Sequence, residues 1–385
     1  MTKSMNNLET NKVELEQKIY ACWLDTIYWL ASGSKYKLLE AAGSAKSIYD
    51  MSEKEVEAIA GIKCRERFLQ HKKLHHPQKV WNGITKLGIS YTYCQASDFP
   101  QKLIKIPDPP FGMFYKGKLP DKKTPAVAMI GARKCSEYGR CMAERFAQEF
   151  TSYGIDIISG MASGIDGISQ EAAVNAGGAS YGVLGCGVNV VYPKTNESLY
   201  RKLLEKGGIL SEYPPGMEPR PMLFPPRNRI ISALSDVVLV IEARQKSGTL
   251  ITVDMALEQG KEVYAVPGRC TDGLSMGCNA LLRQGAVAAT APEDIIEDMH
   301  WKVMTNFKKN RDAQKEMTKQ IKSGLSQTAQ NIYRVLDIQS VPKDTIIIKL
   351  AQQGCKDTMS QIYQGLAELE LKGLAVCQGG CYSLP

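Results

Sequence analysis

Between residues 126 and 269, six short apolar runs alternate with stretches of helical spacing: 126–130 (AVAMI), 155–158 (IDII), 181–184 (YGVL), 208–210 (GIL), 236–241 (DVVLVI) and 262–266 (EVYAV). Strands covered on both faces read as continuous apolar runs, and parallel strands need a long crossover between them. The pattern therefore predicts an α/β fold, a Rossmann-like parallel sheet with helices on both faces. In such sheets the ligand crevice lies outside the carboxyl ends of the strands. Those ends here carry Gly131-Ala132-Arg133-Lys134, 159–166 (SGMASGID), 185–187 (GCG), a proline-rich loop ending in Arg227-Asn228-Arg229, then Ser247-Gly248-Thr249 and 267–269 (PGR). Glycines that bring amides close, together with free cations, suit a phosphate.

The segment 224–231 (FPPRNRII) sharpens this expectation. Pro225 and Pro226 suit a helix start, where a missing N–H costs nothing, which puts Arg227, Asn228 and Arg229 in the first turn. Free amides and the positive dipole end already sit there, so two added arginines are unfavourable unless an anion is bound. The alternative is that the arginines pair with acids such as Glu212 or Glu242. Those two glutamates end the fourth and fifth predicted strands, and a role in orienting Arg133, Arg227 or Arg229 suits them better than acid and base. Ser247 is a candidate helix N-cap with free amides behind it. Asp166 fits either a helix-start residue or a ligand contact.

Several functions are argued against. The only four histidines, His71, His75, His76 and His300, lie outside the α/β segment, so a Ser-His-Asp relay or a histidine-bound catalytic metal in its crevice is not expected. Neither 160–167 nor 182–187 fits GxGxxG, and no GxxxxGK[ST] occurs. Eleven cysteines without a CxxC pair make no disulfide framework, and Cys135, Cys186 and Cys270 read as small fillers. A polar start and the lack of a run near ~20 apolar residues argue against a secretory signal or a membrane span. The net charge of +8 favours an acidic partner only weakly.

The flanks differ in kind. Residues 1–82 carry helical spacing at 20–30, 34–42, 45–49 and 52–60, with Ala60-Gly61-Ile62 as a hairpin between helices, in the manner of a SAM or helix-hairpin-helix domain. Such a module either touches nucleic-acid backbone or only packs. His71, His75 and His76 lie on a basic helix, read as solvated rather than zinc-binding. Strands are expected at 88–93 and 114–117 ahead of the main sheet, with Phe111 and Phe114 in the core. The α/β domain then spans 83–300. Residues 301–324 form a basic linker with little apolar periodicity. Residues 325–385 space as helices at 329–336, 343–352 and 358–372, followed by a hairpin of 374–377 and 381–384, the order of a winged-helix domain. Glu368 and Glu370 on its last helix favour protein contact over DNA reading.

Ile130-Gly131-Ala132-Arg133 with Ser136 and Tyr138-Gly139, then 159–166, 224–232, Ser247-Gly248-Thr249, and Val266-Pro267-Gly268 with Gly277-Cys278-Asn279 follow in an order and spacing that resemble the DNA-processing protein A (DprA/Smf) family. The resemblance covers about residues 100–300. It implies a cytoplasmic, homodimeric protein, not an enzyme, that binds single-stranded DNA in natural transformation, protects incoming strands and loads the RecA recombinase onto them, without cofactor, metal or membrane insertion. By position, Arg133 would hold a phosphate, Arg227, Asn228 and Arg229 would line the same pocket, and Phe224 would lie by the bases. Gly131, Gly164 and the Ser247-Gly248-Thr249 amides would complete the cradle. Some members place a lysine three positions before the Phe-Pro pair. Here that position is Pro221, with Arg220 beside it as the candidate substitute. The alternative is a nucleotide-processing enzyme of phosphoribohydrolase type, whose Pro-Gly-Gly-x-Gly-Thr loop and following glutamate are replaced here by 246–252 (KSGTLIT) and Asp254.

Overall fold

The computed structural model describes residues 2–301, 324–336 and 340–384. The chain divides into two compact units, Met1–Lys134 with Ala143–Trp301, and Cys135–Met142 with Lys302–Pro385.

The first unit opens with helices α1 (Thr2–Asp25), α2 (Ser32–Ala42), α3 (Ala45–Asp50), α4 (Glu53–Ala60), α5 (Ile62–Leu74) and α6 (Pro77–Lys86). The helix expected at 20–30 instead ends at Asp25. The Thr26 hydroxyl donates to the Trp23 carbonyl at 2.6 Å, a local bond that competes with helix continuation, and residues 26–30 turn. Gly61, at φ 86°, makes the expected corner between α4 and α5. Trp23 is fully buried, with Tyr49 at 4.8 Å and Phe68 at 5.4 Å in edge contacts. His71 belongs to this cluster rather than to a solvated face. Its ring lies 5.6 Å from that of Trp23 and 3.0 Å from the Thr26 hydroxyl, and burial pushes its pKa down to about 4.

Nine described strands form one sheet: β1 (Ser90–Tyr93), β2 (Gly112–Gly117), β3 (Ala126–Ile130), β4 (Asp156–Ser159), β5 (Ser180–Val183), β6 (Gly208–Ser211), β7 (Val237–Val240), β8 (Glu262–Ala265) and β9 (Val287–Ala288). Helices α7 (Glu137–Ser152), α8 (Ile165–Asn175), α9 (Glu197–Lys206), α10 (Phe224–Leu234), α11 (Gly248–Glu258), α12 (Met276–Arg283) and α13 (Pro292–Asp298) connect or follow the strands. The order across the sheet is β1-β2-β6-β5-β4-β3-β7-β8-β9. The strands from β6 to β9 are parallel, and β1 and β2 extend that edge antiparallel. All six runs expected in the α/β segment are strands, and the two lead-in strands are present. Phe111, just before β2, and Phe114, within it, are both buried. The two-residue β9 carried too few apolar residues to be read.

From β3 the chain steps outward through β4, β5 and β6, then returns to lay β7 against the other side of β3. The loops after β3 and β7 therefore leave in opposite directions and open a crevice between them, at the point where strand order reverses.

In the second unit, helices Gln327–Val335, Lys343–Gln352 and Met359–Leu371 precede a hairpin, Val376–Gln378 with Cys381–Ser383. A short strand at Val341–Pro342 pairs with the second arm of the hairpin, an addition to the expected order. Its core is built from Ala329, Ile332, Ile346, Leu350, Ile362, Leu366 and Leu369. Glu368 is committed to the fold, accepting from the Ser326 hydroxyl at 2.6 Å and from Lys372 at 3.0 Å. The basic linker falls outside the described residues.

Candidate functional site

A crevice of about 720 Å³ lies over the carboxyl ends of β3 and β7. Its walls come from Gly131–Lys134 after β3, Ala162 and Asp166 around the start of α8, Phe224, Pro225, Arg227 and Asn228 on α10, and Arg244 with Lys246–Thr249 at the start of α11. Of the residues expected in a phosphate site, Gly131, Arg133, Phe224, Arg227, Asn228, Ser247, Gly248 and Thr249 stand together there. Gly164, Arg220 and Arg229 do not form its walls.

The start of α10 explains part of that division. A 3-10 turn at Pro221–Leu223 leads into a helix that begins at Phe224, so Phe224 and the two prolines take the first positions. Arg227 therefore closes the first turn. Arg229, expected in that turn, falls in the second and faces another way. Arg227 is 4% exposed, and its guanidinium donates to the carbonyls of Gly160, at 2.8 Å, and Val183. A Cβ on Gly160 would stand 2.7 Å from the guanidinium nitrogens, so a larger residue there would push Arg227 off these carbonyls. Asp166 accepts the Gly160 N–H at 3.2 Å from the other side. Burial pushes the Asp166 carboxyl up and the Arg227 guanidinium down, and each opposes the other's shift by its charge. Arg227 is thus a charged floor beneath the crevice.

Arg229 follows the pairing alternative. Glu212 takes its two terminal nitrogens at 3.0 and 2.7 Å, the bidentate arrangement favoured between guanidinium and carboxylate. Asp108 takes Nε through its backbone oxygen at 2.8 Å and its carboxylate at 3.1 Å. Arg229 borders a separate cavity of about 190 Å³ that also holds Asp25 and Lys35. Arg220 is exposed beyond the crevice. Gly164 acts through shape: at φ +79° it precedes α8, and a Cβ there would meet the Ala132 carbonyl at 2.2 Å. Its absence lets the loop of Arg133 lie against the start of α8, where Ile165 N–H reaches Ala132 O at 3.2 Å.

The remaining cations face outward. Arg133, Lys134, Arg244 and Lys246 are exposed, and no ion pair holds any of them among the described residues. With Arg227 they set five cations against one carboxylate, Asp166, among the described residues that line the crevice. Ser247 caps α11 by accepting from Thr249 N–H at 3.2 Å. The Thr249 hydroxyl donates to Gly131 O at 3.1 Å and ties the two loops together. Glu242 is 1% exposed and does not form a wall. Arg244, Lys246 and Tyr192 escaped the sequence reading. The first two sit in the strand-end loop just before Ser247-Gly248-Thr249, a position that could have flagged them. Tyr192 lies 32 positions before the Phe224 against which it stacks, with ring centroids 5.5 Å apart at 27°. No group of three or more His, Cys, Asp or Glu suited to a metal occurs among the described residues.

A mostly parallel sheet with a cation-lined crevice at its switch point defines an α/β protein with a positively charged strand-end cleft. The sequence model of the family described as DNA recombination-mediator protein A matches residues 90–300. DNA processing protein DprA of Streptococcus pneumoniae is 41% identical over 203 residues, 53% of this chain and 72% of that protein. Protein Smf of Escherichia coli is 41% identical over 208 residues, 53% of this chain and 56% of its own length. The X-ray structure of the S. pneumoniae DprA superposes with a TM-score of 0.65 at 33% identity, covering 73% of this chain and 96% of that one. DNA processing protein A of Helicobacter pylori, solved to describe its single-stranded DNA binding mode, superposes with a TM-score of 0.50 at 29% identity, covering 56% and 98%. The chain belongs to the DNA recombination-mediator protein A family, DprA/Smf.

Proposed function

We propose that the crevice binds single-stranded DNA through its phosphates. One observation carries this reading: exposed Arg133, Lys134, Arg244 and Lys246 converge on an edge that Asp166 alone opposes, over the Arg227 floor. Such a concentration of unpaired charge repels itself unless a polyanion neutralises it. The capped start of α11 adds backbone amides and a positive dipole end. The single-stranded DNA binding mode described for the H. pylori relative supports the choice of ligand. A lone carboxylate in the walls supports a binding protein over a nucleotide-processing enzyme, for which two placed carboxyls would supply acid and base.

On this reading the protein acts in DNA processing during natural transformation, in the cytoplasm and as a homodimer, holding incoming strands and passing them to the RecA recombinase. The order of elements in the second unit supports a winged-helix domain for a further contact. The test is a salt titration of oligonucleotide binding. For a single strand, log affinity falls with log salt at a slope of about −0.7 per phosphate neutralised. Arg244→Ala and Lys246→Ala should each make that slope shallower by about 0.7, with equal loss across base compositions. Slopes unchanged from wild type would remove these side chains from the phosphate path.

A further inference from the structure

The family resemblance places Phe224 beside the bases, yet the ring has little open face. Tyr192 stacks on it at 5.5 Å, and the guanidinium carbons of Arg133 and Arg227 stand over it at 6.0 and 5.9 Å. Gly185 backs it so closely that an added Cβ would lie 2.7 Å from the ring. Tyr192 is different: with one face on Phe224, it remains 42% exposed at the mouth of the crevice.

The loop that carries Tyr192 is held in place. Asn189 Oδ1 accepts the Gly216 N–H at 2.7 Å, and Asn196 donates to the carbonyls of Met161 at 2.9 Å and Ala162 at 3.2 Å. Ala162 is itself a crevice wall, so these bonds tie the loop to the crevice. A ring fixed on a fixed loop beside phosphate-holding cations is the arrangement that single-strand binding uses, because every base has a π-face to offer.

We infer that Tyr192 is the platform on which an unpaired base stacks, with Phe224 as its support and Arg133 holding an adjacent phosphate. This rests on the reading of the crevice as a single-strand site, and it assigns the base contact to a side chain other than the one the resemblance suggests. Tyr192 is then a binding residue that selects for an unstacked base and is indifferent to which base it is.

The experiment compares two probes, a thymidine oligonucleotide and an abasic strand of equal length and charge, with wild type, Tyr192→Ala, Tyr192→Phe and Arg133→Ala. Tyr192→Ala should bind the thymidine strand roughly 5- to 100-fold more weakly. Tyr192→Phe should keep wild-type affinity, and Tyr192→Ala should match wild type on the abasic strand. Unchanged thymidine binding by Tyr192→Ala overturns the assignment, as does an equal loss on both strands, which would make Tyr192 a support for the loop. If Arg133→Ala leaves binding of both strands intact, the crevice reading itself fails and the platform with it.

Discussion

Arg227 and Arg229 are two positions apart and chemically identical, yet they have separate tasks. Arg229 has its nitrogens committed to Glu212 and Asp108, and its side chain is 9% exposed. Removing one member of a buried, hydrogen-bonded ion pair leaves the other charge stranded, typically at a cost of about 3–5 kcal/mol. Arg229→Ala should therefore unfold at markedly lower denaturant concentration, whereas Arg133→Ala, whose side chain no ion pair holds among the described residues, should unfold like wild type. Equal melting of both variants would contradict the division. The sequence showed that two arginines beside paired prolines needed partners, and it named Glu212. It could not show which arginine Glu212 takes, because that depends on where α10 begins and on Asp108, 121 positions earlier.

At the scale of elements, the strands were legible because their burial on both faces leaves continuous apolar runs. The strand-end loops were legible because glycine and cations are unusual together. What stayed hidden were features without local periodicity: the two-residue β9, the strand at Val341–Pro342, and the end of α1 at Asp25. The Ser247 hydroxyl closes the start of α11 by accepting the Thr249 N–H and donating to the Thr249 hydroxyl, so Ser247→Ala should cost about 1 kcal/mol in thermal or urea unfolding. Asp156 opens β4 at 7% exposure, and burial, with Asp121 beside it, pushes its pKa up to about 7. The folded state then holds a proton that the unfolded chain releases near its ordinary value of 3.8. The favourable contribution is complete below pH 4 and is lost as pH rises through about 7. Asp156→Asn should flatten the loss of melting temperature between those limits. A parallel decline in both proteins would contradict this assignment.

Across the whole molecule, the aromatic cluster around Trp23 joins α1, α3 and α5, while the sheet sets the crevice at the reversal between β3 and β7. The topology accounts for why residues spread from 131 to 249 meet at one edge. Sequence spacing alone identified most of that edge through the expected strand ends, and it missed Tyr192 because a stacked pair across 32 positions leaves no periodic trace. The central claim is that this edge holds single-stranded DNA. The most direct measurement is fluorescence anisotropy of a labelled oligonucleotide, single-stranded against duplex, with wild type and Arg133→Ala. The account predicts tighter binding of the single strand by wild type and loss of that preference in the variant. Equal binding of both probes by both proteins would contradict it and place any DNA contact outside the crevice.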